Sequence, residues 1–125
     1  MPTLIACLST GKGTWAEVNR LIQVGNWNKV FLITNAFGAE NFRNKSENTE
    51  LVVVDSDNKS VVELVDDIKK NLDGKISDFE VALNFVSGSG KEHMAMLEAM
   101  LELGLNFMIV TVNSRGEMDV LGLRK

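Results

Sequence analysis

Short apolar runs at residues 3–8, 29–34, 51–54, 81–86 and 107–112 alternate along this chain with segments whose apolar residues recur every three or four positions. That alternation constrains the fold more than any other feature. Runs of this length with no polar face predict strands buried on both sides, and the intervening segments predict amphipathic helices. The helical spacing is carried by Trp15, Val18, Leu21 and Ile22, then by Val61, Leu64, Val65, Ile68 and Leu72, then by Met94, Leu97, Met100 and Leu101. Gly25, Asp73-Gly74 and Gly104 mark the ends of these helices, and Thr14-x-x-Glu17 and Ser89-x-x-Glu92 fit capping boxes at two of the starts. Residues 35–45 read as polar loop with at most one helical turn. The turn residues Asn113-Ser114-Arg115-Gly116, followed by the short run 118–121, predict a hairpin that sets a sixth strand antiparallel to the fifth.

Strands separated by helices form a mainly parallel sheet covered on both faces, because right-handed crossovers leave few other solutions. The expected fold class is therefore α/β, a Rossmann-like three-layer sandwich of strand order 3-2-1-4-5 with a C-terminal β-hairpin, in a single domain over residues 1–125. At 125 residues and 45% hydrophobic content the chain can bury one core. The net charge of −4 argues against a general surface for duplex nucleic acid. No run approaches a membrane span, and Met1-Pro2-Thr3 lacks the charged start of a signal peptide, so a cytoplasmic protein without membrane contact is expected. Cys7 is the sole cysteine and sits in an apolar run, as a buried thiol would.

Two loops stand out. Ser9-Thr10-Gly11-Lys12-Gly13-Thr14 follows the first strand and Ser87-Gly88-Ser89-Gly90-Lys91 follows the fourth, and each opens a helix. Glycine lets backbone approach a ligand, hydroxyls donate hydrogen bonds, lysine brings positive charge, and a helix start offers unpaired N–H groups. In the assumed order strands 1 and 4 are neighbours where the winding reverses, so both loops border the crevice in which such sheets bind ligands. A phosphate or nucleotide site follows, although each loop alone would also serve as an ordinary strand-to-helix turn.

Known motifs fit only in part. Gly11-x-Gly13-x-x-Ala16 matches the dinucleotide fingerprint, yet Thr34-Asn35 stands where an acidic residue should hold the ribose. The second loop is not a Walker A motif, with Phe85 at the first glycine position and Glu92 after Lys91. His93 is the only histidine, so no zinc site and no cofactor is expected; it lies one turn beyond the second loop, as a ligand donor or as a packing residue. Asp55 ends the third strand, where solvation or capping suits it. The helix after the second loop is apolar around much of its circumference through Met94, Met96, Leu97, Met100, Leu101 and Leu103, which suits a wide core face or a dimer contact.

The second loop resembles the hallmark of the CARF domains of type III CRISPR systems, which sense cyclic oligoadenylates. That hallmark runs Thr or Ser, Gly, Gly, any residue, Lys or Arg; Ser87, Gly88 and Lys91 keep its first, second and fifth positions, and Ser89 replaces the second glycine. The resemblance extends loosely to the strand before the loop, the methionine and leucine helix after it, and the closing hairpin. It implies a homodimer with one two-fold symmetric pocket for a cyclic oligonucleotide, a role in antiviral defence, and ligand contacts from Ser9, Thr10, Gly11, Lys12, Gly13, Thr14, Ser87, Gly88, Ser89, Gly90, Lys91 and His93. It also implies a metal-independent ring nuclease as one possible activity, with Ser9 or Thr10 and Lys91 as its catalytic groups. Two other readings of the same residues stay open: a small nucleotide or dinucleotide enzyme in the same crevice, and a non-catalytic interaction protein that uses its methionine-rich helix.

Overall fold

The structure is a computed structural model that describes residues 2–9, 12–42 and 47–122, with Lys12 described by its backbone alone. The elements run β1 (Thr3–Leu8), a 3-10 turn (Lys12–Thr14), α1 (Trp15–Val24), β2 (Val30–Thr34), α2 (Ala36–Asn41), β3 (Thr49–Val53), α3 (Val61–Leu72), β4 (Glu80–Asn84), α4 (Gly90–Glu102), β5 (Asn106–Val112) and β6 (Met118–Leu121). They form an α/β fold around one six-stranded sheet of order β3-β2-β1-β4-β5-β6. The order runs one strand beyond the five expected, because β6 joins the same sheet as an edge; it pairs antiparallel with β5, as the hairpin residues predict, while the other pairs are parallel.

β1 and β2 are buried along their whole length, and successive side chains alternate between two cores. Ile5, Cys7, Phe31, Ile33, Val81 and Leu83 meet Leu64, Val65 and Ile68 of α3 and Ala95, Met96, Ala99 and Met100 of α4. Leu4, Ala6, Leu8, Val30, Leu32 and Ala82 meet Trp15, Val18 and Leu21 of α1 together with Phe42. Each fully buried Leu, Ile or Phe contributes about 1.5–3 kcal/mol, so these two central strands anchor both layers. Among the described residues no helix is long and apolar enough to cross a membrane.

Three local expectations need correction. The capping box at Thr14 does not form: Thr14 lies in the helical region at φ −95° and ψ −5° and its side chain caps nothing, because the 3-10 turn runs straight into α1. The fourth strand stops at Asn84 rather than at 86. There the Asn84 side chain donates to Val110 O at 2.8 Å and accepts the Val86 N–H at 3.2 Å, turning the chain out of the sheet. On α4, Met96 and Met100 are buried beside Ala95 and Ala99, and the exposed apolar strip is Met94, Leu97 and Leu101.

Candidate functional site

The strand register brings the two loops together. Ala6 pairs with Asn84, and Ser9 and Ser87 each lie three residues further on, so both chains leave the sheet side by side at the point where α1 covers one face and α4 the other. The loops are bonded to each other there. The Ser9 N–H donates to Ser87 Oγ at 3.2 Å, and the Ser9 hydroxyl donates to Glu92 Oε1 at 2.8 Å. The same oxygen accepts from the Ser89 N–H at 2.8 Å and from the Ser89 hydroxyl at 3.0 Å, while Ser89 Oγ accepts the Glu92 N–H at 3.3 Å. Glu92 thus closes the capping box of α4, as the spacing predicts, and also bolts β1's loop to β4's. On the α1 side, Trp15 Nε1 donates to Ser9 O at 2.9 Å.

This arrangement gives several of the expected ligand groups a supporting task. Ser9 and Ser87 are 1% exposed and Glu92 is 2% exposed, so their polar atoms face inward. Glu92 Oε2 is buried with no hydrogen-bond partner among the described residues. Gly88 adopts φ +99°, and a Cβ there would stand 2.3 Å from Cys7 Sγ and 3.1 Å from Glu92 Oε1. Only glycine lets the second loop lie this close on β1. Cys7 beneath it is fully buried; burial first, then the Glu92 carboxyl, pushes its thiol far above the ordinary range despite hydrogen bonds from Ser9 and Leu8, which makes it a packing group rather than a nucleophile.

Other groups face outward. A Cβ on Gly90 would meet nothing within 4 Å, and no hydrogen bond to the Gly90 or Lys91 amide is found among the described residues, so the first turn of the 13-residue α4 keeps two orphan donors. Lys91 Nζ donates to Ser56 O at 2.7 Å, which leaves two of its three N–H donors. His93 Nε2 donates to Ser87 O at 2.7 Å and its ring stands edge-on to Phe85 at 5.3 Å, contacts that brace the loop. In the first loop, Gly13 is exposed and Thr14 half-buried within the 3-10 turn. Thr10, Gly11 and the Lys12 side chain lie outside the described residues.

A further concavity of this edge lies one strand pair away, where the sequence analysis named Asp55 and Asn35. A cavity of about 560 Å³ opens beyond β2 and β3, lined by Asn35, Phe37, Val53, Asp55, Ser56 and Asp57 among others. Ser56 joins the two places, since its carbonyl holds Lys91. The signals that would have found the cavity are Phe37, one of two aromatics in the 35–45 stretch, and the Asp55-Ser56-Asp57 sequence. Among the described residues no group of three or more His, Cys, Asp or Glu side chains is placed to hold a metal ion. No protein-family model matches this chain, and no curated protein does.

Proposed function

We propose that this chain is a CARF-like, Rossmann-like domain that binds a cyclic oligoadenylate or closely related nucleotide in the crevice above β1 and β4, with two copies pairing to complete the pocket. The observation that carries this reading is the bonded junction of the two loops, Ser9 to Ser87 and Ser9 to Glu92, at the reversal of the sheet's winding. A phosphate held there would take the orphan amides of Gly90 and Lys91 and the remaining donors of Lys91. Binding is the activity supported; the Ser9 hydroxyl, donated to Glu92 and buried, is a support rather than an attacking group. The pairing surface of this reading is the exposed strip Met94, Leu97 and Leu101 on α4.

Calorimetry with cyclic tetra-adenylate, cyclic hexa-adenylate, AMP, ATP and NAD in EDTA tests the reading, with product analysis by chromatography. One ring bound per two chains, weakened by salt and by Lys91→Ala, is expected. Failure of every ring to bind overturns it, and preference for NAD or ATP would move the assignment to a nucleotide enzyme in the same crevice.

A further inference from the structure

We infer that Glu92 sets the charge of the phosphate this junction accepts, admitting the single charge of a phosphodiester and disfavouring the dianion of a phosphomonoester. The inference rests on the nucleotide reading above and narrows the ligand class of the same site. Glu92 is 2% exposed. Its Oε1 gathers three donors, the Ser9 hydroxyl and the N–H and hydroxyl of Ser89, while its Oε2 is buried with no hydrogen-bond partner among the described residues. Three donors on one oxygen at the positive end of a helix suit a negative charge. None of the ion pairs among the described residues includes Glu92, so no salt bridge cancels that charge. The charge already acts on its surroundings: burial first, and the Glu92 carboxyl second, hold the Cys7 thiol above its ordinary range.

A phosphate at the start of α4 would meet little positive charge. The unpaired amides of the helix end supply about half an elementary charge, and Lys91 supplies one more. Lys91 is itself set among acidic groups, since its Nζ donates to the Ser56 carbonyl at 2.7 Å and Ser56 stands between the exposed carboxylates of Asp55 and Asp57. Lys59 of the same loop is engaged by Asp67 at 2.6 Å. Against these, Glu92 places a full negative charge in the first turn of the helix. The balance suits a monoanion. A second phosphate charge would find no cation left to meet it, yet would still have to be desolvated. A phosphodiester carries one charge and a phosphomonoester close to two near neutral pH. Glu92 need not touch the ligand to discriminate, because a charge removed from water acts over several ångströms.

Calorimetric titration with AMP and with its methyl ester, which differ by one charge, tests this at about pH 7.5, with cyclic tetra-adenylate as the competitor that marks the site. The parent should bind the ester about tenfold more tightly than AMP. Glu92→Gln keeps an oxygen for the three donors and removes the charge; it should raise AMP affinity about tenfold and leave the ester within about twofold. Thermal melts check that this variant folds. If it does not, the exposed pair Asp55→Asn/Asp57→Asn should still shift the ratio toward AMP by about twofold. If AMP gains nothing when these charges are removed, or if AMP and the ester gain alike, the charge role is overturned, and the loop site stands where Lys91→Ala still weakens the ring. If no ring binds, or Lys91→Ala leaves its affinity unaltered, the site reading fails and this inference with it.

Discussion

Gly88→Ala tests whether the second loop owes its shape to packing on β1. Two penalties act independently. Alanine at φ +99° is held in backbone space that favours glycine, at a cost of about 1–2 kcal/mol. The new Cβ would meet Cys7 Sγ at 2.3 Å, an overlap in a filled core that costs about 1–3 kcal/mol to relieve. Together they predict a loss of about 2–5 kcal/mol, a large share of the ~5–15 kcal/mol by which a typical domain is stable. Urea unfolding of Gly88→Ala, Cys7→Ala and the double variant forms a cycle that separates the two. Removing the sulfur in the Gly88→Ala background should recover much of the overlap cost, on the order of 1–2 kcal/mol. The recovery is partial, because Glu92 Oε1 stands 3.1 Å and Cys7 Cβ 3.2 Å from the same point. A loss under about 1 kcal/mol in Gly88→Ala, or strict additivity in the double variant, would refute the packing argument.

Gly90→Ala makes the contrasting case: its Cβ has open space and it begins α4, so thermal stability should stay level or rise by up to about 1 kcal/mol, while ligand titration should show weaker binding if a phosphate approaches that amide. Leu101→Glu, at a position 59% exposed, should change the unfolding free energy of the single chain by no more than about 0.5 kcal/mol; if two copies pair through this face as proposed, it should also lower the sedimentation coefficient, and an unchanged value would exclude that face. Glu50 sits below the ordinary glutamate range, chiefly because Lys75 donates to it at 2.6 Å and secondarily through the charges of Lys75 and Lys29. A carboxyl lowered in the folded state contributes stability that is complete above its unfolded value and fades as pH falls below it. Glu50→Gln should therefore flatten the acid limb of a stability profile below about pH 4.5 and leave the slope near neutrality unchanged.

The strands were legible where hydropathy alone decides. β1 and β2 are apolar on both faces and buried on both, and β1 begins and ends where the sequence places it. β4 was read too long because Phe85 and Val86 continue the apolar pattern, whereas Asn84 ends the strand through a bond to β5 that no local pattern encodes. On α4 the residues are apolar nearly all round, so periodicity could not say which strip is covered; Ala95 and Ala99 decide it by letting the helix close on the sheet. The meeting of the two loops follows from topology and was legible. The inward turn of Ser9 was not, since its partner Glu92 lies 83 positions away. The two glycines of the second loop look equivalent as letters, and only their surroundings separate a packing requirement at Gly88 from open space at Gly90.

Cys7 gives the junction a built-in reporter. As the chain's only thiol, it lies under Gly88 with no exposed surface, and so cannot meet an alkylating reagent while the β4 loop rests on β1. Each modification event therefore records one excursion in which that contact has opened. The labelling rate, followed by mass spectrometry on the unaltered protein, measures how often the two halves of the crevice part, and a molecule that bridges them will slow it in proportion to occupancy.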